Sequence, residues 1–317
     1  MLRIYATVSV LCLFGSFFAK AQFNNITVLI HKGNSSVTLM KTVTLLNETY
    51  ITEILIEEED VPVLKTGIFD SLFLLHTVNV RNTNLVTLQP NIFAGLRRIR
   101  KINFNFNKIR FVPSNVFKNI PVYIIALRGN GIETISENAF YNLQNLRNLD
   151  LGSNNIELLP KNLFVNTNNL KYIDLSYNKL RHFPAVPYKP YPFFDVAFAN
   201  MVPEEPSFLD LSYNNFTFIS YYLLRGIHYI DELRLHNNNI KMISEYAFDD
   251  FKKINTLNLD GNDLNEISDG LLGVLTYVET VRVENNPWRD RFVCKYKDWC
   301  EKHEKVNYME MKCPVRL

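Results

Sequence analysis

The chain has 317 residues, is 47% hydrophobic and carries a formal net charge of +2. That apolar share is ample for one elongated core. The near-neutral balance, with no long basic face, argues against nucleic acid as a partner.

Residues 1–21 read as a signal peptide. Arg3 supplies a positive start, an apolar run extends to Phe18, and Ala19-Lys20-Ala21 offers a small-x-small cleavage site. The run is shorter than the roughly 20 residues a membrane-spanning helix needs. Cleavage would remove Arg3 and Lys20 and no acid, taking the charge from +2 to 0. No later stretch is apolar and long enough to span a membrane. The closing MKCPVRL is neither a lipid-anchor tail nor a CaaX box. A soluble, secreted, extracellular glycoprotein is expected, and N-x-S/T sequons at Asn25, Asn34, Asn47 and Asn215 agree.

Residues 22–50 alternate through Ile26, Val28 and Ile30, turn near Gly33-Asn34, and resume at Val37, Leu39, Val43 and Leu45. This predicts an N-terminal β-hairpin cap, without cysteine, over the open end of a repeat array beginning near Ile51.

From Ile51 onward the chain is periodic. Asparagines stand at 107, 130, 154, 178, 214, 238, 262 and 286; five of the intervals are 24 residues, one is 23, and one, Asn178 to Asn214, is 36. Apolar residues precede each asparagine by three, five and eight positions, and another follows by two. The pattern LxxLxLxxNxL is the leucine-rich repeat. The expected fold is α/β: a curved horseshoe solenoid with a parallel β-sheet on its concave face. Each asparagine amide should satisfy backbone groups of neighbouring turns. Phe117, Phe140, Phe164, Leu224, Phe248 and Leu272, ten residues past the ladder position, should fill the core. So should Val112, Ile135, Leu159, Phe183, Ile219, Ile243 and Ile267, five past it. The frame runs upstream to Phe93 and Phe69, with Thr83 and Glu59 in place of asparagine. That makes about ten repeats over 51–288.

Concave positions are the third, fifth, seventh and eighth of each repeat. The fifth runs Leu55, Asn79, Asn103, Ala126, Asp150, Asp174, Asp210, Arg234, Asn258, Arg282, so an acidic column gives way to basic residues. Tyr172 and Phe208 at the third position and Tyr177 and Tyr213 at the eighth flank the aspartates. Asp150, Tyr172, Asp174, Tyr177, Phe208, Asp210 and Tyr213 form a candidate binding patch, since buried aromatics dominate interface energy. LDLSYN is also common repeat filler, so the same residues have a purely structural reading.

The 36-residue interval cannot hold two full units. It is one repeat with an insertion of about 12 residues, at about 184–206, or one repeat beside a degenerate strand near Phe194–Phe198. Its prolines at 184, 187, 190, 192, 203 and 206 bar a long helix. Tyr188, Tyr191, Phe193 and Phe194 either cover an irregular joint or present aromatics to a partner.

Residues 289–317 form a cysteine-containing C-terminal cap with Cys294, Cys300 and Cys313. If residues 291–302 are helical, Cys294 and Cys300 lie about 9 Å apart along the axis, too far to bridge. One of them pairs with Cys313. The other is either buried or forms a disulfide-linked dimer.

No GxSxG, Walker-type loop or HExxH occurs. The six histidines lack metal-ligand spacing, with His236 beside Arg234 read as a solvated surface residue. The acidic run Glu57-Glu58-Glu59-Asp60 reads as a solvated face. No catalysis, metal or cofactor is expected.

The cysteine-free N-terminal hairpin, the segment FNFNKIRFVPSNVFKNIP (104–121) and the irregular joint between Asn178 and Asn214 resemble the mosquito leucine-rich immune proteins. Long members of that family carry a C-terminal coiled coil; this chain has no heptads and is similar to a coil-less member. The resemblance implies a haemolymph protein that binds complement-like thioester proteins, another leucine-rich-repeat protein or microbial surfaces in innate immunity. The missing coil puts the family's heterodimer assembly in doubt. The competing reading is an extracellular adhesion or receptor-ligand protein in development.

Overall fold

The computed structural model describes residues 21–24, 29–32, 35–37, 42–45, 51–58, 61–70, 72–160, 163–164, 166–181, 208–224, 227–306 and 313. It divides into two compact units, 1–154 with 165–169, and 155–164 with 170–317. Each is a run of leucine-rich repeats, with one short strand per repeat in the main parallel sheet and a second, two-residue strand in several of them.

In the first unit the strands are Glu53–Glu57, Thr77–Arg81, Lys101–Asn103, Ile124–Ala126 and Asn148–Asp150. Leu55, Asn79, Asn103, Ala126 and Asp150 lie side by side across them. The fifth-position column is therefore a physical row. Alternation puts Ile54, Val78, Ile102, Ile125 and Leu149 inward, where all are fully buried. The phenylalanines ten residues past the ladder stack as a spine: Phe69, Phe93, Phe117 and Phe140 follow at 5.6, 5.8 and 5.6 Å between ring centres. At the open end, strands Leu29–Lys32 and Ser35–Val37 pair antiparallel, and the first also pairs antiparallel with Glu53–Glu57. Strands Ala21–Asn24 and Thr42–Leu45 form a second antiparallel pair.

In the second unit the strands are Tyr172–Asp174, Phe208–Asp210, Tyr229–Arg234, Lys253–Asn258 and Thr280–Arg282. Asp174, Asp210, Arg234, Asn258 and Arg282 lie side by side. Tyr172 pairs directly with Phe208, so the strands on either side of the 36-residue interval are neighbours in the sheet. No degenerate strand lies between the two in the sheet. The segment 184–206, including Tyr188, Tyr191, Phe193 and Phe194, lies outside the described residues, as do Phe183, Glu59, Asn25, Asn34 and Asn47. Asn215 is exposed, and its backbone N–H donates to Leu180 O at 2.8 Å.

All eight ladder asparagines are at most 8% exposed. The amide of each donates to carbonyls, and across the ladder their oxygens accept backbone N–H groups, mostly 22 residues earlier. Thr83 takes the same post, its hydroxyl 2.6 Å from Asn107 Oδ1.

The chain closes with helix Asp290–Lys302, which buries Phe292, Val293, Tyr296, Trp299 and Cys300. That stripe at one-turn spacing covers the last repeat. The polar ends of its aromatics donate to carbonyls: Tyr296 Oη to Val281 O (3.2 Å) and Trp299 Nε1 to Leu272 O (3.2 Å), with Trp288 Nε1 on Val283 O (2.9 Å). Cys294 bridges to Cys313, with the Cα atoms 4.8 Å apart, and among the described residues Cys300 is the free thiol, 2% exposed. Burial pushes its pKa up, offset in part by a hydrogen bond with Tyr296, so little thiolate forms at neutral pH. Alkylation of the native protein, after removal of residues 1–21, is expected to modify no cysteine, and one thiol should appear in denaturant. A reducible dimer band on electrophoresis would contradict this.

Candidate functional site

The second unit assembles six of the seven candidate patch residues. Tyr172 and Phe208, adjacent in register, stack with ring centres 4.6 Å apart and planes at 5°. Tyr177 and Tyr213 stack at 4.1 Å and 8°. The edge of His236 meets Tyr213 at 5.5 Å. Two aromatic pairs thus stand on consecutive repeats. Asp150 belongs to the first unit, where its Oδ1 accepts the Gly152 N–H at 3.0 Å and faces Arg128 Nη1 at 3.6 Å.

The aspartates occupy the predicted column but do not present free carboxylates. Asp174 Oδ1 accepts the N–H of Ser176 (2.9 Å) and its hydroxyl (2.6 Å); Asp210 Oδ1 does the same with Ser212 (2.9 and 2.5 Å). Both residues are under 9% exposed. Asn103 and Asn258 use their side-chain oxygens in the same way, on Asn105 and Asp260 N–H. A polar residue at the fifth position therefore closes a short turn at the strand end.

The charge that reaches solvent comes from the next repeat. Arg234 grips Glu232 through Nε (2.7 Å) and Nη2 (3.0 Å), reaches Asp210 Oδ2 at 3.4 Å, and lays its guanidinium 4.5 Å above the Phe208 ring. The Glu232 hydrogen bond, above all, raises its pKa further. The sequence signal for this group was the column itself: Glu232 sits 24 residues after Phe208, and Arg234 24 after Asp210.

The eighth position carries a second signal. Its residues take positive φ in every repeat, from Glu58 to Asn285. Asn82, Asn237 and Asn285, like Gly129 and Gly261, tolerate that left-handed conformation. Tyr177 (φ 54°) and Tyr213 (φ 53°) do not tolerate it without strain, yet they are 50% and 40% exposed. A non-glycine residue held there costs on the order of 1–3 kcal/mol. Phe106 (φ 57°) occupies the same post in the first unit and is 53% exposed.

His236 is half-buried, and its Nδ1 meets no partner among the described residues. Burial holds its pKa below the ordinary 6.5, with Asp210 and Asp260 pulling upward and Arg234 and Arg282 opposing them. The unfolded chain therefore takes up the proton first. The neutral ring's contribution to stability is complete above the ordinary value and is lost as pH falls through it towards the lower folded value. Urea midpoints should drop between pH 7.5 and 5.5, and a His236→Phe variant should show a smaller drop. An equal drop in both proteins would rule His236 out as a source.

Among the described residues, no three His, Cys, Asp or Glu side chains cluster as metal ligands, and no helix is long and apolar enough to cross a membrane.

Comparison with known proteins matches this geometry. Residues 120–180 and 208–264 fit the leucine rich repeat model, and residues 15–123 the BspA type leucine rich repeat region of six copies. The chain belongs to the leucine-rich repeat family. No curated protein matches it. Among solved structures it is similar to a chain of the Toll–Spatzle complex, described as a molecular hub in Drosophila development and innate immunity. That match has TM-score 0.63 and 21% identity, over 74% of this chain and 31% of that one. The glycosylated form of the same complex gives 0.63 and 22%, over 75% and 32%. The TLR13–ssRNA13 complex gives 0.50 and 22%, over 71% and 34%. The chain thus spans about a third of the solved chains it resembles, and at these identities the likeness is one of fold.

Proposed function

We propose that this is a secreted, non-catalytic recognition protein of innate immunity that docks a protein partner on the concave face of its second unit. The observation that carries the reading is the two stacked aromatic pairs, Tyr172–Phe208 and Tyr177–Tyr213, the second held at a strained backbone position. Flat aromatic surface beside a fixed arginine is the composition of an interface centre. The Cys294–Cys313 bridge fits an oxidising, extracellular compartment, as do the signal-like start and the exposed sequon at Asn215. The Toll–Spatzle fold likeness and the resemblance to mosquito leucine-rich immune proteins favour defence. The partner class is then a complement-like thioester protein or another leucine-rich-repeat protein.

Affinity purification from haemolymph, with and without reductant, followed by mass spectrometry tests this. A defence protein retained by the wild type and lost by Phe208→Ala is expected. Retention only of developmental cell-surface receptors would favour the adhesion or receptor-ligand reading instead.

A further inference from the structure

The overall charge conceals an uneven distribution: between Asp70 and Glu133 the chain has nine lysines and arginines and no acid. One of them, Arg100, meets Arg147 where the chain of the first unit enters its strands. Arg100, Tyr123 and Arg147 each stand one residue ahead of a strand, and those three strands are in register. Arg100 and Arg147 approach the Tyr123 ring from the two flanking repeats, each guanidinium carbon 5.2 Å from the ring centre. Arg100 Nη1 also donates to the carbonyls of Ile99 (3.3 Å) and Pro121 (3.2 Å). Pro121 in turn lines a shallow cleft with Arg97 and Lys118. Arg97, Arg98, Lys101, Lys118 and Arg147 are exposed.

None of these six cations pairs with a carboxylate among the described residues. In the second unit, by contrast, Arg234 and Arg282 hold acids at 2.7 and 2.8 Å. Two guanidinium groups two strands apart, roughly 10 Å, repel each other. The stack on Tyr123 and the carbonyl bonds hold Arg100 in place without neutralising it. An edge of fixed cations without counter-charges attracts a polyanion, and the planar guanidinium fork suits the paired oxygens of a sulfate or similar group.

We propose that this edge binds a sulfated polysaccharide. Single-stranded nucleic acid fits less well, because bases need an open aromatic face and Tyr123 has one arginine on each side. An acidic protein fits less well too, because protein interface centres are rich in accessible aromatics and poor in lysine.

The test is equilibrium binding of the full chain, at physiological salt, to heparin, dextran sulfate, unsulfated dextran, single-stranded DNA and poly-glutamate. Heparin and dextran sulfate are expected to bind at least tenfold more tightly than DNA or poly-glutamate, with no binding of unsulfated dextran. Arg100→Gln with Arg147→Gln should weaken heparin binding at least tenfold. Arg97→Glu with Lys118→Glu, which leaves the Tyr123 stack intact, should do likewise while keeping the wild-type circular dichroism spectrum. Unchanged heparin affinity in the second pair would overturn the proposal, as would preference for DNA or poly-glutamate.

Discussion

Replacing Asn154 with alanine is expected to lower the unfolding free energy by about 3 kcal/mol, the largest effect of any single ladder position. The amide nitrogen of Asn154 donates to the carbonyls of Leu127 (3.0 Å), Leu151 (2.8 Å) and Gly152 (3.1 Å). Its oxygen accepts the backbone N–H groups of Asn130 (3.1 Å), Gly131 (2.9 Å) and Ile132 (2.9 Å). One buried side chain thus joins the backbone of two successive repeats. Alanine would leave these groups unpaired at a site 7% exposed. Leaving a buried polar group without a partner costs about 1–3 kcal/mol, and water can reach only part of the gap. Asn154→Asp should be at least as damaging, since it sets a carboxylate against three carbonyl oxygens. Urea denaturation of both variants measures the effect. A loss below about 1 kcal/mol would mean that the ladder is decoration rather than structure.

The second large effect is on binding and leaves the fold nearly untouched. Tyr177→Asn with Tyr213→Asn installs the residue that Asn82, Asn237 and Asn285 use at the same position with the same backbone conformation. The exchange removes a stacked pair worth about 0.5–1.5 kcal/mol and relieves part of a backbone strain on the order of 1–3 kcal/mol at each of the two positions. Stability should therefore hold or rise. Affinity for the partner should fall roughly 30-fold or more, the loss of about 2 kcal/mol that marks a hot spot. If the tyrosines were only repeat filler, the affinity would not move.

The repeat frame was legible because a period of 24 residues, kept over hundreds of residues, admits few alternatives. The ladder, the inward leucines and the phenylalanine spine all stand where that frame put them. The 36-residue interval was legible as a break in the period, and Tyr172 and Phe208, on either side of it, pair directly in the sheet. The aspartate column was harder. Alternation assigns Asp174 and Asp210 to the concave face, but their carboxylates fold back onto the next serine and end up buried. A period reports which way a Cβ points and says nothing of what the side chain then bonds.

The strained eighth position did leave a trace: asparagine or glycine fills it at 82, 129, 237, 261 and 285. That trace is visible only when the column is read as a demand on backbone conformation. The choice between Cys294 and Cys300 was open because only spacing along a helix was at hand. Helical phase, with Phe292, Tyr296 and Cys300 on one stripe, turns Cys300 inward and leaves Cys294 for Cys313. The basic edge was missed because charge was summed over a chain whose acids lie elsewhere, and because the concave columns skip the residue ahead of each strand.

The central claim is that the aromatic pairs of the second unit are the docking face. The most direct measurement is the dissociation constant of the partner retained from haemolymph, for wild type and for the Tyr177→Asn, Tyr213→Asn protein, at matched unfolding free energy. A weakening of roughly 30-fold or more is predicted; equal affinity in the two proteins would contradict the account.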